Sequence, residues 1–336
     1  MAKNVLITGA SGFIGSFLVE EALEAGFQVF AGVRPTSSRQ YLTQPGIHFI
    51  ELNLSSENEL IETFAEFQRQ HGALDFVIHN AGVTQARTKD EFYEVNFRYT
   101  QNLIQALQKS HVPITKFILI STLATYGPGR ADTFAPIQEQ DEEKPVSTYA
   151  RSKQMADRYV RSIENFPYLI LKPTAVFGPR DQDFFRLYKM IQSGFEFSIG
   201  SHRQLISLIY VKDFTRVVIG MLLNSVNRKT FFVSDGMGYT KDELNEAIRT
   251  ALKKKTVRLA VPVSFLRGIV KANEALHAWR GRLPFLNTEK LNEIAAANWL
   301  CNSDEVWQEL NFRPQYGLPQ ALDETVRWMK QNRWLR

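Results

Sequence analysis

The sequence predicts an α/β fold, a doubly wound parallel sheet followed by a smaller, mostly helical lobe, and three observations predict it. Short apolar runs alternate with helix-period segments from Asn4 to Leu171. A glycine-rich turn joins the first strand to the first helix. Beyond Pro173 the alternation becomes irregular and helical patterns dominate. The 336 residues leave room for two domains, expected at 1–175 and 176–336, with strands near 208–211 and 230–233 returning to the first.

Asn4 to Thr8 (NVLIT) is a short apolar run that stops at glycine, which reads as a buried strand. Phe13 to Ala25 has apolar residues at helical spacing, with Gly26 as its C-terminal stop. Strands follow at Phe27–Val33 and His48–Leu52, then a helix over Glu57–Gln70 and a strand over Phe76–His79. A long helix is expected over Asp90–Lys109, a strand at Lys116–Ser121, a helix over Ser147–Ile163 and a strand at Tyr168–Leu171. Such alternation produces βαβ units and a parallel sheet covered on both faces. The second lobe should carry strands at Leu208–Val211 and Thr230–Val233 and helices over Lys241–Lys254, Ser264–Trp279 and Leu318–Gln331.

Composition excludes several classes. Hydrophobic residues are 44% and charged residues 22%, too apolar for a disordered chain. No run approaches the ~18 apolar residues of a membrane span, and glycines interrupt the apolar N-terminus where a signal peptide would need continuity. The single cysteine, Cys301, cannot form an internal disulfide, so the expected location is the cytoplasm. The six histidines are scattered and no H-x-x-x-H or C-x-x-C occurs, so no metal site is expected. Net charge is +5, and it is concentrated: residues 253–290 hold nine Lys/Arg against Glu274 and Glu289. That distribution argues against a general nucleic-acid binder.

The turn after the first strand reads Gly9-Ala10-Ser11-Gly12-Phe13-Ile14-Gly15, a G-x-x-G-x-x-G pattern. Glycines here permit a tight turn and close approach of backbone N–H groups to a pyrophosphate, with the helix N-terminus facing the negative charge. At the end of the second strand, Gly32-Val33-Arg34-Pro35-Thr36-Ser37-Ser38 contains no acid. A carboxylate there would repel a 2′-phosphate, whereas Arg34 can pair with one and Thr36 or Ser37 can donate to it. NADP is therefore the expected cofactor, with NAD as the alternative. Tyr149 and Lys153 stand four apart on a helix and share a face. A nearby ammonium favours the phenolate and brings an ordinarily weak acid (pKa ~10) towards use in catalysis.

These motifs, in order, resemble the extended short-chain dehydrogenase/reductase superfamily, the NAD(P)-dependent epimerase/dehydratase family. Thr8-Gly9-Ala10-Ser11-Gly12-Phe13-Ile14-Gly15 is followed by His79-Asn80-Ala81-Gly82, Ser121-Thr122 with Tyr126-Gly127, Tyr149-Ala150-Arg151-Ser152-Lys153, Lys172-Pro173-Thr174-Ala175-Val176-Phe177-Gly178-Pro179 and Tyr210-Val211-Lys212-Asp213. The resemblance implies a Rossmann-type cofactor domain and a C-terminal substrate lobe. It implies that Thr122, with Ser121 as runner-up, orients the substrate oxygen while Tyr149 exchanges the proton and Lys153 supports it. It also implies cofactor contacts from Gly9, Ser11, Gly12, Phe13, Ile14, Gly15, Arg34, Ser37, Asn53, Leu54, Asn80, Ala81, Gly82, Tyr149, Lys153, Pro173 and Val176. Asn53 would accept from the adenine amine, and Asn96 would support the catalytic network or helix packing. A homodimer is implied through the two helices bearing Asn96 and Tyr149, with Phe92, Tyr93, Val95, Phe97, Tyr99, Leu103, Ile104 and Leu107 as the apolar face.

Within that family, Leu123-Ala124 stands where sugar dehydratases carry an Asp-Glu pair, and Ile206-Ser207-Leu208-Ile209 lacks the arginine of nucleotide-sugar enzymes, unless Arg180 or Arg203 substitutes. The leading expectation is an NADP-dependent reductase/dehydrogenase acting on a ketone or secondary alcohol, with a keto-lipid or sterol-like substrate. A nucleotide-sugar epimerase is the alternative, and a non-catalytic NADP-binding sensor the second. The segment Val257–Leu286 places Phe265, Leu266, Ile269, Val270, Leu276 and Trp279 on an apolar helix face ringed by Arg267, Lys271, Arg280 and Arg282. It reads either as a core-packed helix or as a lid that also touches an anionic membrane surface.

Overall fold

The computed structural model describes residues 2–199, 203–278, 283–284, 286–311 and 313–335. Its strands are β1 (Asn4–Thr8), β2 (Gln28–Val33), β3 (Ile47–Glu51), β4 (Phe76–His79), β5 (Lys116–Ile120), β6 (Tyr168–Pro173) and β7 (Ala175–Phe177). There follow β8 (Phe195–Ile199), β9 (Leu205–Ile206), β10 (Leu208–Tyr210), β11 (Lys229–Val233), β12 (Tyr239–Thr240), β13 (Val257–Val261) and β14 (Asn298–Trp299). The helices are α1 (Phe13–Glu24), α2 (Glu57–His71), α3 (Lys89–Tyr93), α4 (Tyr99–Lys109), α5 (Thr148–Ser162) and α6 (Gln182–Gln192). The series ends with α7 (Val211–Leu223), α8 (Lys241–Leu252), α9 (Val263–Ala278), α10 (Thr288–Ala295), α11 (Asp304–Leu310) and α12 (Leu318–Gln331).

The central sheet is parallel and seven-stranded, in the order β11-β6-β5-β4-β1-β2-β3. The sequential order of the strands reverses between β1 and β4, which pair in parallel. Crevices at such a switch point, outside the carboxyl ends of the strands, are where ligands bind. The turns after β1 and β4, carrying Gly9 and Asn80, both open there. Strands β1, β4 and β5 are buried along their whole length, as expected of a sheet covered on both faces. Leu60, Phe64, Leu103, Leu107, Phe117 and Val160 join α2, α4 and α5 to one face in a single apolar cluster. Burying each such side chain is worth about 1.5–3 kcal/mol. Local signals reinforce the elements. The Ser56 side chain caps α2, Glu57 and Glu59 occupy its first turn, and Gly72 ends it at φ +76°.

Packing divides the chain into two interleaved units. The first comprises Met1–Thr125, Thr148–Lys172 and Thr215–Phe231; the second comprises Tyr126–Ser147, Pro173–Phe214 and Phe232–Arg336. In the second unit β7 pairs with β10 in parallel, β9 lies between β12 and β14, and β8 pairs with β13. The strand expected near 208–211 is thus β10, outside the central sheet, whereas the one near 230–233 is β11, at the sheet's edge.

One expectation is corrected. The helix over Asp90–Lys109 is not continuous: a π-helical turn, Glu94–Arg98, separates α3 from α4. Its cause is Asn96. That side chain accepts from Val83 N (2.8 Å) and donates to Val83 O (3.1 Å) and to Ser152 Oγ (3.0 Å). The wider turn carries the buried amide to those partners, as π-bulges at functional positions do.

Candidate active site

The site begins where β1 meets α1. Gly9 adopts φ +65°, and a Cβ there would lie 2.9 Å from Ala81 Cα. A Cβ on Gly15 would come within 2.0 Å of Gly9 O, so α1 can start this close to the loop only with glycine. Gly12 meets nothing nearer than Gly9 O at 3.3 Å and is exposed. It precedes α1 in extended conformation, no side chain caps the helix, and its first turn holds no acid. Ser11, Phe13 and Ile14 are half-buried around it. An open, uncapped helix N-terminus lined by backbone fits a pyrophosphate. The neighbouring turn supports it: Asn80 Nδ2 donates to Gly9 O (3.5 Å) and Ala81 N donates to Thr8 Oγ1 (3.1 Å).

At the end of β2, Arg34 is exposed, its N–H donates to Ser37 Oγ (3.0 Å), and Ser37 N returns a bond to Arg34 O (2.9 Å). Sequence reasoning missed Arg39, which sits over the Phe49 ring at 4.3 Å, a second cation of this loop whose signal was its spacing five residues past Arg34. Asn53 is engaged locally. Its Oδ1 accepts from Ser55 N (3.2 Å) and Ser55 Oγ (2.6 Å), and its Nδ2 donates to Glu59. Leu54 is half-buried on the core, and its carbonyl accepts from Asn102 Nδ2 (3.0 Å).

The catalytic candidates lie on α5 and on the turn after β5, which α5 contacts at Ile120 and Ser121. Thr122 is half-buried and its Oγ1 accepts from Ala124 N (3.2 Å). Ser121 is buried and donates its hydroxyl to Asp157 Oδ2 (2.9 Å), so of the two neighbours only Thr122 is open to solvent. Tyr149 is half-buried, its ring 6.2 Å from that of Phe92. Ser152, the residue that anchors Asn96, donates to Tyr149 O (2.7 Å). Lys153 is buried and donates to Ile120 O (2.6 Å). Burial pulls its ammonium down to about 8, and the nearby Asp157 charge pulls the other way. A Cβ on Gly82 would stand 2.9 Å from Asn96 Oδ1 and 3.8 Å from Lys153 Nζ, so the loop after β4, the π turn and α5 meet at one point.

Sequence reasoning missed the support beneath. Asp157 is fully buried one turn beyond Lys153 and pairs with Lys172 Nζ at 2.8 Å, also fully buried. Lys172 Nζ donates to Thr125 Oγ1 (2.7 Å), and Thr125 Oγ1 donates to Thr122 O (3.0 Å). One buried carboxylate thereby ties the Ser121–Thr125 turn to the helix that carries Tyr149. His79 is also buried. Burial holds its imidazole neutral, down at about 3, with the Lys153 charge adding to the effect. Its ring nitrogens meet Thr8 Oγ1 (2.8 Å) and Thr100 Oγ1 (3.0 Å). It is a structural link between β1, β4 and α4.

Pro173 ends β6, and half-buried Val176 pairs with Ile209 of β10 within the second unit. There the segment Leu208–Tyr210 is wholly buried, Arg203 stacks over Phe134 at 5.5 Å, and Arg180 adopts φ +72°. Burial pushes the Cys301 thiol up to about 12, which leaves it no nucleophilic role. Among the described residues no group of three or more His, Cys, Asp and Glu could hold a metal. Among them, too, no helix is long and apolar enough to cross a membrane.

The fold and this constellation define an NAD-binding oxidoreductase type of protein. The chain belongs to the NAD dependent epimerase/dehydratase family, whose model matches residues 5–233. The sterol-4-alpha-carboxylate 3-dehydrogenase, decarboxylating, of Dictyostelium discoideum is 24% identical, over 96% of this chain and 99% of that protein. A ceramide reductase of Caulobacter vibrioides is 25% identical over 98% and 96%. The UDP-glucose 4-epimerase of Vibrio cholerae is 26% identical over 78% and 80%. Among solved structures, dTDP-glucose 4,6-dehydratase from Bacillus anthracis, in complex with NAD, superposes with TM-score 0.78 at 19% identity, covering 98% of this chain and 97% of that one. UDP-glucose 4-epimerase from Thermotoga maritima, with UDP-glucose, also gives TM-score 0.78 at 19% identity, over 98% and 99%.

Proposed function

We propose that this enzyme transfers hydride between NADP(H) and a ketone or secondary alcohol of an apolar, lipid-like substrate. The observation that carries the reading is that α5, with half-buried Tyr149, holds the turn of half-buried Thr122 through buried Lys153 on Ile120 O and Asp157 on Ser121, beside an uncapped glycine turn. A bound nicotinamide would supply the hydride. In reduction, Tyr149 gives its proton to the developing alkoxide while Thr122 orients that oxygen, contributions typically worth ~10²–10⁴-fold. Lys153, charged below about pH 8, stabilises negative charge on the tyrosine oxygen and donates to the ribose. Backbone of Gly9, Ser11, Gly12, Phe13, Ile14 and Gly15 would hold the pyrophosphate. Arg34 and Ser37 would take the 2′-phosphate, Asn53 and Leu54 would face the adenine, and Asn80, Ala81, Gly82, Pro173 and Val176 would flank the remainder. The loop of Arg34 has no acid, which supports NADP over NAD.

The substrate class rests on two features. No arginine occurs in Ile206–Ile209, where nucleotide-sugar enzymes place one, and two relatives that span nearly the whole chain are named for a sterol and a ceramide. The epimerase alternative is favoured by the UDP-glucose 4-epimerase relative, and in it Tyr149 would remove and restore the same proton. Such an apolar substrate would be met at a membrane surface by an enzyme residing in the cytoplasm. A homodimer is proposed through Tyr93, Val95, Phe97 and Tyr99, which stay half-buried, and exposed Met155; Phe92, Leu103, Ile104 and Leu107 are used up in the chain's own core. A sedimentation mass of one chain would contradict it. The function is tested by net NADPH consumption across lipid ketones and nucleotide sugars. Stoichiometric consumption with a ketone supports the reductase, and turnover of a nucleotide sugar without net consumption supports the epimerase.

A further inference from the structure

The turn that carries Thr122 is held by three buried charged groups, and each fixes the direction of the hydrogen bond it makes. Lys153 Nζ donates to Ile120 O (2.6 Å). As the carboxylate of an ion pair with Lys172, Asp157 only accepts, so the Ser121 hydroxyl gives its proton to Asp157 Oδ2 (2.9 Å). The Lys172 ammonium only donates, so the Thr125 hydroxyl oxygen accepts from it (2.7 Å) and must send its own proton elsewhere. That proton goes to Thr122 O (3.0 Å), a carbonyl that also accepts from Thr125 N (3.3 Å). Thr125 and Lys172 are fully buried, at 0% exposure, so neither bond is shared with solvent.

Of the three hydroxyl protons in this turn, those of Ser121 and Thr125 are thereby committed. The Thr122 oxygen accepts from Ala124 N (3.2 Å), and among the described residues no group accepts its proton. Thr122 is half-buried and reaches solvent. Its hydroxyl is therefore left as a donor, which is what a developing alkoxide requires. Ser121, its neighbour, has no proton to offer that oxygen.

We infer that Lys172, acting through Thr125, is the positioning residue of Thr122, locking the Thr122 carbonyl so that the Thr122 hydroxyl stands as a donor towards the substrate oxygen. Without the ammonium the Thr125 hydroxyl can turn round, and Thr122 O keeps only the longer bond from Thr125 N. A misplacement of ~1 Å at a reacting group can lower a rate by ~10²-fold, so a lock of this kind has catalytic value. The inference rests on the proposed role of Thr122 and adds to it the groups that set its geometry.

Hydrogen–deuterium exchange of the full chain reads the lock without any substrate. Thr125→Val removes the hydroxyl and keeps the shape, and exchange at Ala124 and Thr125 N–H should rise about tenfold, the value of one such hydrogen bond. Amides of β5 and α5 should stay as they are in the wild type. Thr125→Ser, which keeps the hydroxyl, should exchange as the wild type does. The double variant Asp157→Asn, Lys172→Met removes both charges, so that neither is left buried alone, and should match Thr125→Val at these two amides. No rise at Ala124 and Thr125, or a rise shared equally by β5 and α5, overturns the inference. The kinetic arm uses NADPH with cholestanone, a sterol-like ketone. Thr122→Val should lower kcat by about 10²-fold and Thr125→Val by about tenfold, with KM and the Kd for NADPH nearly unchanged. Added to Thr122→Val, Thr125→Val should lower kcat by less than about twofold more, because it acts through a hydroxyl already removed. Full additivity of the two would overturn the inference. A wild-type rate in Thr122→Val would instead overturn the proposed catalytic role of Thr122, whatever the exchange shows.

Discussion

Two helices of this protein break the apolar-inside rule in opposite directions. The helix α5 buries Ser152, Lys153, Gln154 and Asp157 and leaves Met155 exposed at 40%. In contrast, α9 buries Val270 and exposes Phe265, Ile269 and Leu276. Each arrangement opposes what folding alone would select, because a buried charge costs several kcal/mol and an exposed large apolar side chain forgoes about 1.5–3 kcal/mol. The difference lies in compensation. Both charges buried by α5 have partners, Lys153 on Ile120 O and Asp157 Oδ2 on Ser121 and Lys172, although Asp157 Oδ1 has no hydrogen bond among the described residues. The stripe on α9 is left exposed among the described residues. Internal compensation marks a site built to hold a geometry.

The comparison breaks most sharply at Tyr149. Tyr149→Phe should lower kcat by at least ~10²-fold and leave Kd for NADPH nearly unchanged, since the phenol meets the substrate oxygen and not the phosphates. Steady-state kinetics beside cofactor titration checks both halves, and near-normal turnover would remove α5 as the catalytic helix. Next in size is Asp157→Asn. Loss of one partner of a buried ion pair should destabilise the fold by about 3–5 kcal/mol, read by urea titration. The same change has a kinetic signature. Asp157 supports the charged form of Lys153, whose ammonium already sits near 8. Without that support its pKa falls further, so the alkaline limb of the pH–rate profile should move to lower pH. An unmoved limb would make Asp157 a packing residue only. The smallest effect is expected at Arg34→Ala, which should narrow the preference for NADPH over NADH by roughly ten- to a hundredfold, the value of a charge-assisted hydrogen bond of about 1.5–3 kcal/mol. Equal dissociation constants of the two cofactors for the unaltered chain would refute it.

Much of this architecture was legible in local sequence. The strands β1, β4 and β5 are apolar runs bounded by turn residues, and Gly9, Gly12 and Gly15 sit where a strand must hand over to a helix. What escaped is non-local. The π turn at Glu94–Arg98 has an ordinary helical pattern, and it accompanies reciprocal hydrogen bonds across a loop, in which Asn96 accepts from Val83 N and donates to Val83 O. The Asp157–Lys172 pair joins a helix to a strand without any spacing signal. Ser121, the runner-up to Thr122 in the sequence, is engaged by Asp157, a partner that no local spacing signals. The single apolar face expected for α9 is divided in the structure: Val270 is buried with Leu266 half-buried beside it, while Phe265, Ile269 and Leu276 are exposed on the other side. That split depends on the packing of Val270 and on Glu274, which accepts from Thr288 N at the start of α10. Trp279, Arg280 and Arg282, expected to extend this face, lie outside the described residues.

The central claim is that the chain reduces a ketone with hydride from NADPH while Tyr149 supplies the proton. Deuterium carried on the transferable position of NADPH tests it most directly, followed into product by mass spectrometry with a lipid ketone as substrate. The account predicts one deuterium on the carbinol carbon of the alcohol for each NADPH oxidised, and a rate of incorporation reduced by at least ~10²-fold in Tyr149→Phe. Turnover of a nucleotide sugar with the cofactor's label retained, or alcohol formed without deuterium, would contradict it.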